Sequence, residues 1–254
     1  SWYLCLEIVK CCVQVYCKRK SSDLRKSSDM TKLDQFESVF KSANKAAYTY
    51  ERLAYNRVLI VTDLEEADAA LLVGQVRSFL SVIDKPDTSW QAVSGDTFQS
   101  VRELLQLIEE HKPDLIVTYR HLHSNAWEWP YSLGEYLDVM TQATSVPVLV
   151  LPHPDADRAL PHTLENSDRV MAITDHLTGD SKIVNVALAL TSPGGTCWLT
   201  HVESQPVFER YMDIISKIPS IDTDTANETV ARQLLKEPRD FIAACRKTIE
   251  AEDV

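Results

Sequence analysis

Apolar residues fall into two rhythms along the first half of the chain. Short strand-like runs recur at 57–63, 89–93, 115–118 and 146–151. The first and the last two of these do not alternate with polar residues, as expected of strands buried on both faces. Between them the spacing turns helical. Ala69, Leu72, Val73, Val76, Phe79 and Leu80 share a side of a segment over 65–83. Phe98, Val101, Leu104, Leu105 and Ile108 do so over 97–110, with Asp96 as the expected N-cap. A third helical segment opens near Ser132. A helix joining two strands implies that they run parallel. The pattern predicts β-α-β-α-β-α-β, an α/β fold with an open parallel sheet and helices on both faces.

The rhythm then starts again. The run 169–175 repeats 57–63: both begin Arg-Val and end Thr-Asp. A helix over 181–190, a strand over 196–202 and helices over 206–218 and 225–250 follow, the last broken or kinked at Pro238. This is a repeat at the scale of a domain. Nothing in it corresponds to 114–152, so the expectation is a tandem protein whose second domain is incomplete, with an exposed sheet edge; the alternative is that the two pieces complement one another. The predicted organisation is a domain at 57–152, a linker at 153–166 and a partial second domain at 167–254. Ahead of them, 30–56 reads as a helix over 34–47, with Leu33, Phe36, Val39 and Phe40 on one side, and then an extended segment.

Composition changes the reading mainly at the front. Residues 1–29 hold four of the six cysteines and carry six basic residues against three acidic ones, although the whole chain has a net charge of −11. Glu7 and Lys10 interrupt the apolar part, which is shorter than the roughly 20 residues of a spanning helix. Its positive charge follows the apolar part, the reverse of a signal peptide. The stretch 1–29 is therefore expected to stand outside the fold. The acidic balance argues against nucleic acid and anionic membrane as partners. Cys197 and Cys245 read as reduced cysteines, and a disulfide framework is not expected.

Ligands of open α/β sheets bind at the carboxyl ends of strands. The loop 119–131 is thus the first place to look for chemistry. Arg120, His121, His123 and Asn125 supply donors, and Trp127 and Trp129 supply flat apolar surfaces. The simpler role for Trp127, Trp129 and Tyr131 is to cover the sheet end or a partner subunit. His121-x-His123 lacks an evident third ligand, so no metal site is expected. No Gly-x-Ser-x-Gly, Ser-x-x-Lys or His-Glu-x-x-His is present, and no nucleophile is spaced beside a base. The expectation is a protein without a catalytic constellation.

Four segments resemble the universal stress protein family: VLIVTD at 58–63, VSGDTFQSV at 93–101, PDLIV at 113–117 and SLGEYLDVMTQATSVPVLVLP at 132–152. One family strand, with its helix, is missing after the first helix. The resemblance implies a tandem universal stress protein with an adenine-nucleotide-hydrolase-like fold. It also implies an ATP site built on Asp63 and on a Gly-x-x-Gly loop after the strand at 115–118. Here Tyr119, Arg120, His121 and Leu122 stand at the glycine positions. Only Gly134 of the later pair is kept, with Glu135 in place of Ser or Thr. A carboxylate there repels phosphate. If nucleotide binds, Thr62, Asp63, Gly95, Thr118, Tyr119, Arg120, Ser132, Gly134 and Glu135 are the expected contacts. The resemblance further implies dimerisation along the last strand, through Val146, Val148, Leu149 and Val150. The expected function is a non-catalytic, cytoplasmic stress-response or regulatory protein with a degenerate nucleotide site and no required cofactor. It would act as a homodimer or through another protein partner. The alternative is an ATP- or AMP-binding switch, or weak ATPase, using Asp63 and the Gly134 loop.

Overall fold

The computed structural model describes residues 47–128, 132–154, 164–175, 177–202, 204–218 and 223–252. The expectations for 1–29 and for the helix at 34–47, and most of the expected linker, lie outside them. The chain forms two compact units, one over 53–168 and one uniting 47–52 with 169–252.

The first unit is an α/β sheet of four parallel strands: β1 (Arg57–Val61), β2 (Ser89–Val93), β3 (Leu115–Tyr119) and β4 (Val148–Leu151). They lie in the order β2-β1-β3-β4, every pair parallel. The crossovers are α1 (Glu66–Phe79), α2 (Val101–His111) and α3 (Glu135–Ala143). β1 to β2 steps one way along the sheet, and β2 to β3 steps back across β1. Right-handed crossovers therefore put α1 on one face and α2 and α3 on the other, in keeping with the packing of α2 against α3. The central strands β1 and β3 are buried almost throughout, which explains their unbroken apolar runs.

Local chemistry moves several boundaries. Asp96 does not cap α2: it lies in a 3-10 turn, Gly95–Thr97, and Phe98 is extended and buried. The cap is Ser100, whose hydroxyl accepts from the Glu103 amide at 3.3 Å, while the Glu103 carboxylate accepts from the Gln99 amide at 2.7 Å. α3 opens at Glu135 rather than near Ser132, because Gly134 takes φ +87° just before it. β4 begins at Val148, two residues after the expected start. The Val146 amide instead donates to Thr144 Oγ1 at 3.1 Å. At the opposite end of the sheet, Asp114 Oδ2 accepts from the amides of Asn56 and Arg57, each at 3.0 Å, tying the start of β1 to that of β3.

The second unit holds β5 (Arg169–Thr174) and β6 (Thr196–His201), paired in parallel. With them go α4 (Ser181–Leu190), α5 (Gln205–Ser216), α6 (Thr223–Leu234) and α7 (Lys236–Ala251). The expected break at Pro238 falls earlier, between α6 and α7. Pro238 is the third residue of α7, where an amide has no intrahelical acceptor to lose. Val184, Ala187, Phe241, Ile242, Cys245 and Ile249 pack with Ala172, Cys197 and Leu199 on one face of the pair. Tyr48 joins this core. Its ring meets Phe241 edge-on at 6.2 Å, and its hydroxyl donates to Asn185 Oδ1 at 2.6 Å. The extended segment, expected to lead into the first domain, thus begins inside the second unit.

Candidate functional site

The strand order reverses at β1, so the crevice at the carboxyl ends of β1 and β3 is the topological switch point of the first unit. Asp63 follows β1 there, and the 120–134 loop follows β3. The pairing of β1 with β3 brings both to one end of the sheet. What they build is a closed hydrogen-bond network.

Its centre is Tyr119, the last residue of β3, which is buried to 1% exposure. The Tyr119 hydroxyl donates to Asp63 Oδ1 in a short hydrogen bond. It accepts from the Asp63 amide at 3.2 Å and lies 2.6 Å from Thr62 Oγ1. A phenol has one proton. With that proton on Asp63, the Thr62 hydroxyl must donate to Tyr119. Thr62 Oγ1 in turn accepts from the Leu64 amide at 3.1 Å. The second carboxylate oxygen, Asp63 Oδ2, accepts from the His123 amide at 2.8 Å. Burial, and next the hydrogen bond to the Asp63 carboxylate, push the Tyr119 phenol far above its ordinary pKa, so it stays protonated.

The loop keeps a glycine-like backbone without glycine. His121 and His123 both take the left-handed conformation, at φ 64° and 55°. The His121 amide donates to the Leu133 carbonyl at 3.0 Å, and its Nε2 lies 3.3 Å from Ser132 Oγ. Gly134 presses on it: a Cβ at that position would stand 2.9 Å from His121 Cα. The His123 ring packs between Phe98, at 4.8 Å, and Tyr136, at 5.4 Å. The His153 ring meets Tyr119 at 4.8 Å. The two loop histidines are thus held by different neighbours. Among the described residues, no cluster of three or more His, Cys, Asp or Glu is arranged to hold a metal ion.

The other expected contacts are dispersed by role. Gly95 lies under Asp63, where a Cβ would come 2.5 Å from the Asp63 carbonyl oxygen, and its amide donates to the Leu64 carbonyl at 3.0 Å. Thr118 is buried within β3, and Arg120 is half-buried at the start of the loop. Glu135 is exposed in the first turn of α3, so that helix N-terminus already carries its own acid. Burial, and then the charges of Glu135 and Glu103, raise the Tyr136 phenol. Val148, Leu149 and Val150 lie on β4, which ends the sheet among the described residues; Val150 is 41% exposed. The joint hold of Tyr119 and His123 on Asp63 is the feature that sequence reasoning missed. The only signal was a tyrosine at the end of a buried strand where glycine was expected.

No helix among the described residues is long and apolar enough to cross a membrane. Comparison with protein-family models, with curated proteins and with solved structures finds no match to this chain.

Proposed function

We propose that this chain is a non-catalytic regulatory protein of the universal stress type, acting through self-association or a protein partner, with its switch-point crevice closed to nucleotide. One observation carries the reading: both oxygens of the Asp63 carboxylate are taken, Oδ1 by the Tyr119 hydroxyl and Oδ2 by the His123 amide. A ribose diol reaching this carboxylate would have to compete with both. Each hydrogen bond to a charged group is worth about 1.5–3 kcal/mol. Three amides beside that carboxylate are engaged as well. His121 donates to Leu133, His123 to Asp63, and Gly95 to Leu64. Glu135 adds like charge at the α3 N-terminus. For association, the open edge of β4 offers unpaired backbone groups to another strand.

The test is calorimetric titration of the full chain with Mg-ATP, ADP and AMP, with Asp63→Ala as control. Sedimentation of the wild type and of Val150→Asp runs beside it. The expected result is no saturable heat, together with association that Val150→Asp weakens while the circular dichroism spectrum is kept. Saturable binding lost in Asp63→Ala would overturn the reading in favour of a nucleotide switch. A wild type that stays monomeric at all concentrations would remove self-association from it.

A further inference from the structure

We propose that Ser132 is a modification site: a serine nucleophile with His121 as its base, which takes an acyl group from an activated ester. The Ser132 Oγ lies 3.3 Å from His121 Nε2, across 11 positions of chain. No sequence motif joins the two; the return of the loop beneath α3 does. In the tautomer with its proton on Nδ1, which faces Gly134, Nε2 accepts the Ser132 proton. The separation is long for a hydrogen bond, as is common for a nucleophile and base before a ligand draws them together.

The two side chains differ in the way such a pair requires. His121 is 3% exposed and its backbone is pinned. It sits at φ 64°, its amide donates to the Leu133 carbonyl at 3.0 Å, and Gly134 lies close against its Cα. The base is therefore held in place before any reagent arrives. Ser132 is exposed, so a reagent reaches it from water. Attack bonds Oγ to the ester carbonyl carbon as the Oγ proton passes to Nε2. The bond from that carbon to the leaving oxygen then breaks, and the leaving oxygen takes the proton from Nε2. Just beyond Ser132, α3 makes its first intrahelical bond from the Asp138 amide to the Gly134 carbonyl at 3.0 Å. The amides of residues 135–137 thus have no acceptor inside the helix and are the nearest donors in sequence for the developing oxyanion. The exposed Glu135 carboxylate in the same turn opposes that charge. The reaction is accordingly a slow, single modification rather than a turnover, in keeping with a regulatory protein.

Ser124 supplies an internal control. It is exposed in the same loop, but its Oγ accepts from the Ala126 amide at 3.2 Å and has no base beside it. The experiment treats the full chain with p-nitrophenyl acetate at neutral pH and follows acetylation of each serine by peptide mass spectrometry. Ser132 should be acetylated about a hundredfold faster than Ser124, the contribution expected of a positioned base. In His121→Asn, which keeps a residue tolerant of the left-handed backbone, the Ser132 rate should fall to that of Ser124. Unfolding the wild type in urea should remove the difference as well. Equal rates at Ser132 and Ser124 in the folded wild type would overturn the proposal. So would a fast Ser132 that persists in folded His121→Asn or in urea.

Discussion

Two buried tyrosines in the first unit make a controlled pair. Tyr119 and Tyr55 are exposed by 1% and 6%, but their hydroxyls differ in partners. Tyr119 is bonded to Asp63 and Thr62, whereas the Tyr55 hydroxyl finds no partner among the described residues. Tyr119→Phe removes a hydrogen bond to a carboxylate, about 1.5–3 kcal/mol, and leaves the buried Thr62 hydroxyl without its acceptor, about 1 kcal/mol more. The expected loss is about 2–4 kcal/mol. Tyr55→Phe removes a polar atom that was buried without compensation, so it should be neutral or stabilise by up to about 1 kcal/mol. Native-state hydrogen exchange of the β1 and β3 amides at neutral pH reads this unit separately from the other. Tyr119→Phe should speed that exchange by about 30-fold or more. A Tyr119→Phe variant no less protected than Tyr55→Phe would refute the network. Alkaline pH gives a second reading. Burial pushes the Tyr55 phenol up to about 12 and raises Tyr119 too. Above pH 10 the unfolded chain loses phenolic protons that the folded chain keeps. Stability is then fully present below pH 10 and falls as pH rises from there toward the folded pKa values. Between pH 10 and 12 the Tyr55 share of that fall is about 3 kcal/mol, and urea unfolding of Tyr55→Phe should show a correspondingly shallower alkaline decline.

Two further predictions concern backbone conformation and helix capping in the first unit. Gly134→Ala forces a side chain into φ +87° and to within 2.9 Å of His121 Cα, and should cost about 2–4 kcal/mol by urea unfolding. Gly74→Ala, in α1 with nothing within 4 Å, should instead stabilise by about 0.5–1 kcal/mol; the two changes having the same sign would refute the distinction. Ser100→Ala removes the α2 cap and should lower stability by about 1 kcal/mol, whereas Asp96→Ala should leave it nearly unchanged in the same assay.

The sequence by itself determined the element order, because that information is local. Unbroken apolar runs gave β1, β3 and β4, helical spacing gave α1, α2 and α4, and a connecting helix made neighbouring strands parallel. Asp63 and the Gly134 loop were joined in the sequence only by the family resemblance; that β1 and β3 lie side by side is decided by the sheet order. Boundaries that depend on a hydrogen bond were less legible. Asp96 and Ser100 are both good capping residues, and only the burial of an extended Phe98 decides between them. The chemistry of the crevice belonged to the tertiary structure. The Tyr119 hydroxyl reaches across 56 positions to Asp63, and the His123 amide across 60, so no spacing in the chain announces either bond. The adoption of Tyr48 by a core 137 positions away, at Asn185, was hidden for the same reason. Periodicity reports which face of a segment is buried; it carries no information about which distant polar group will satisfy a buried one.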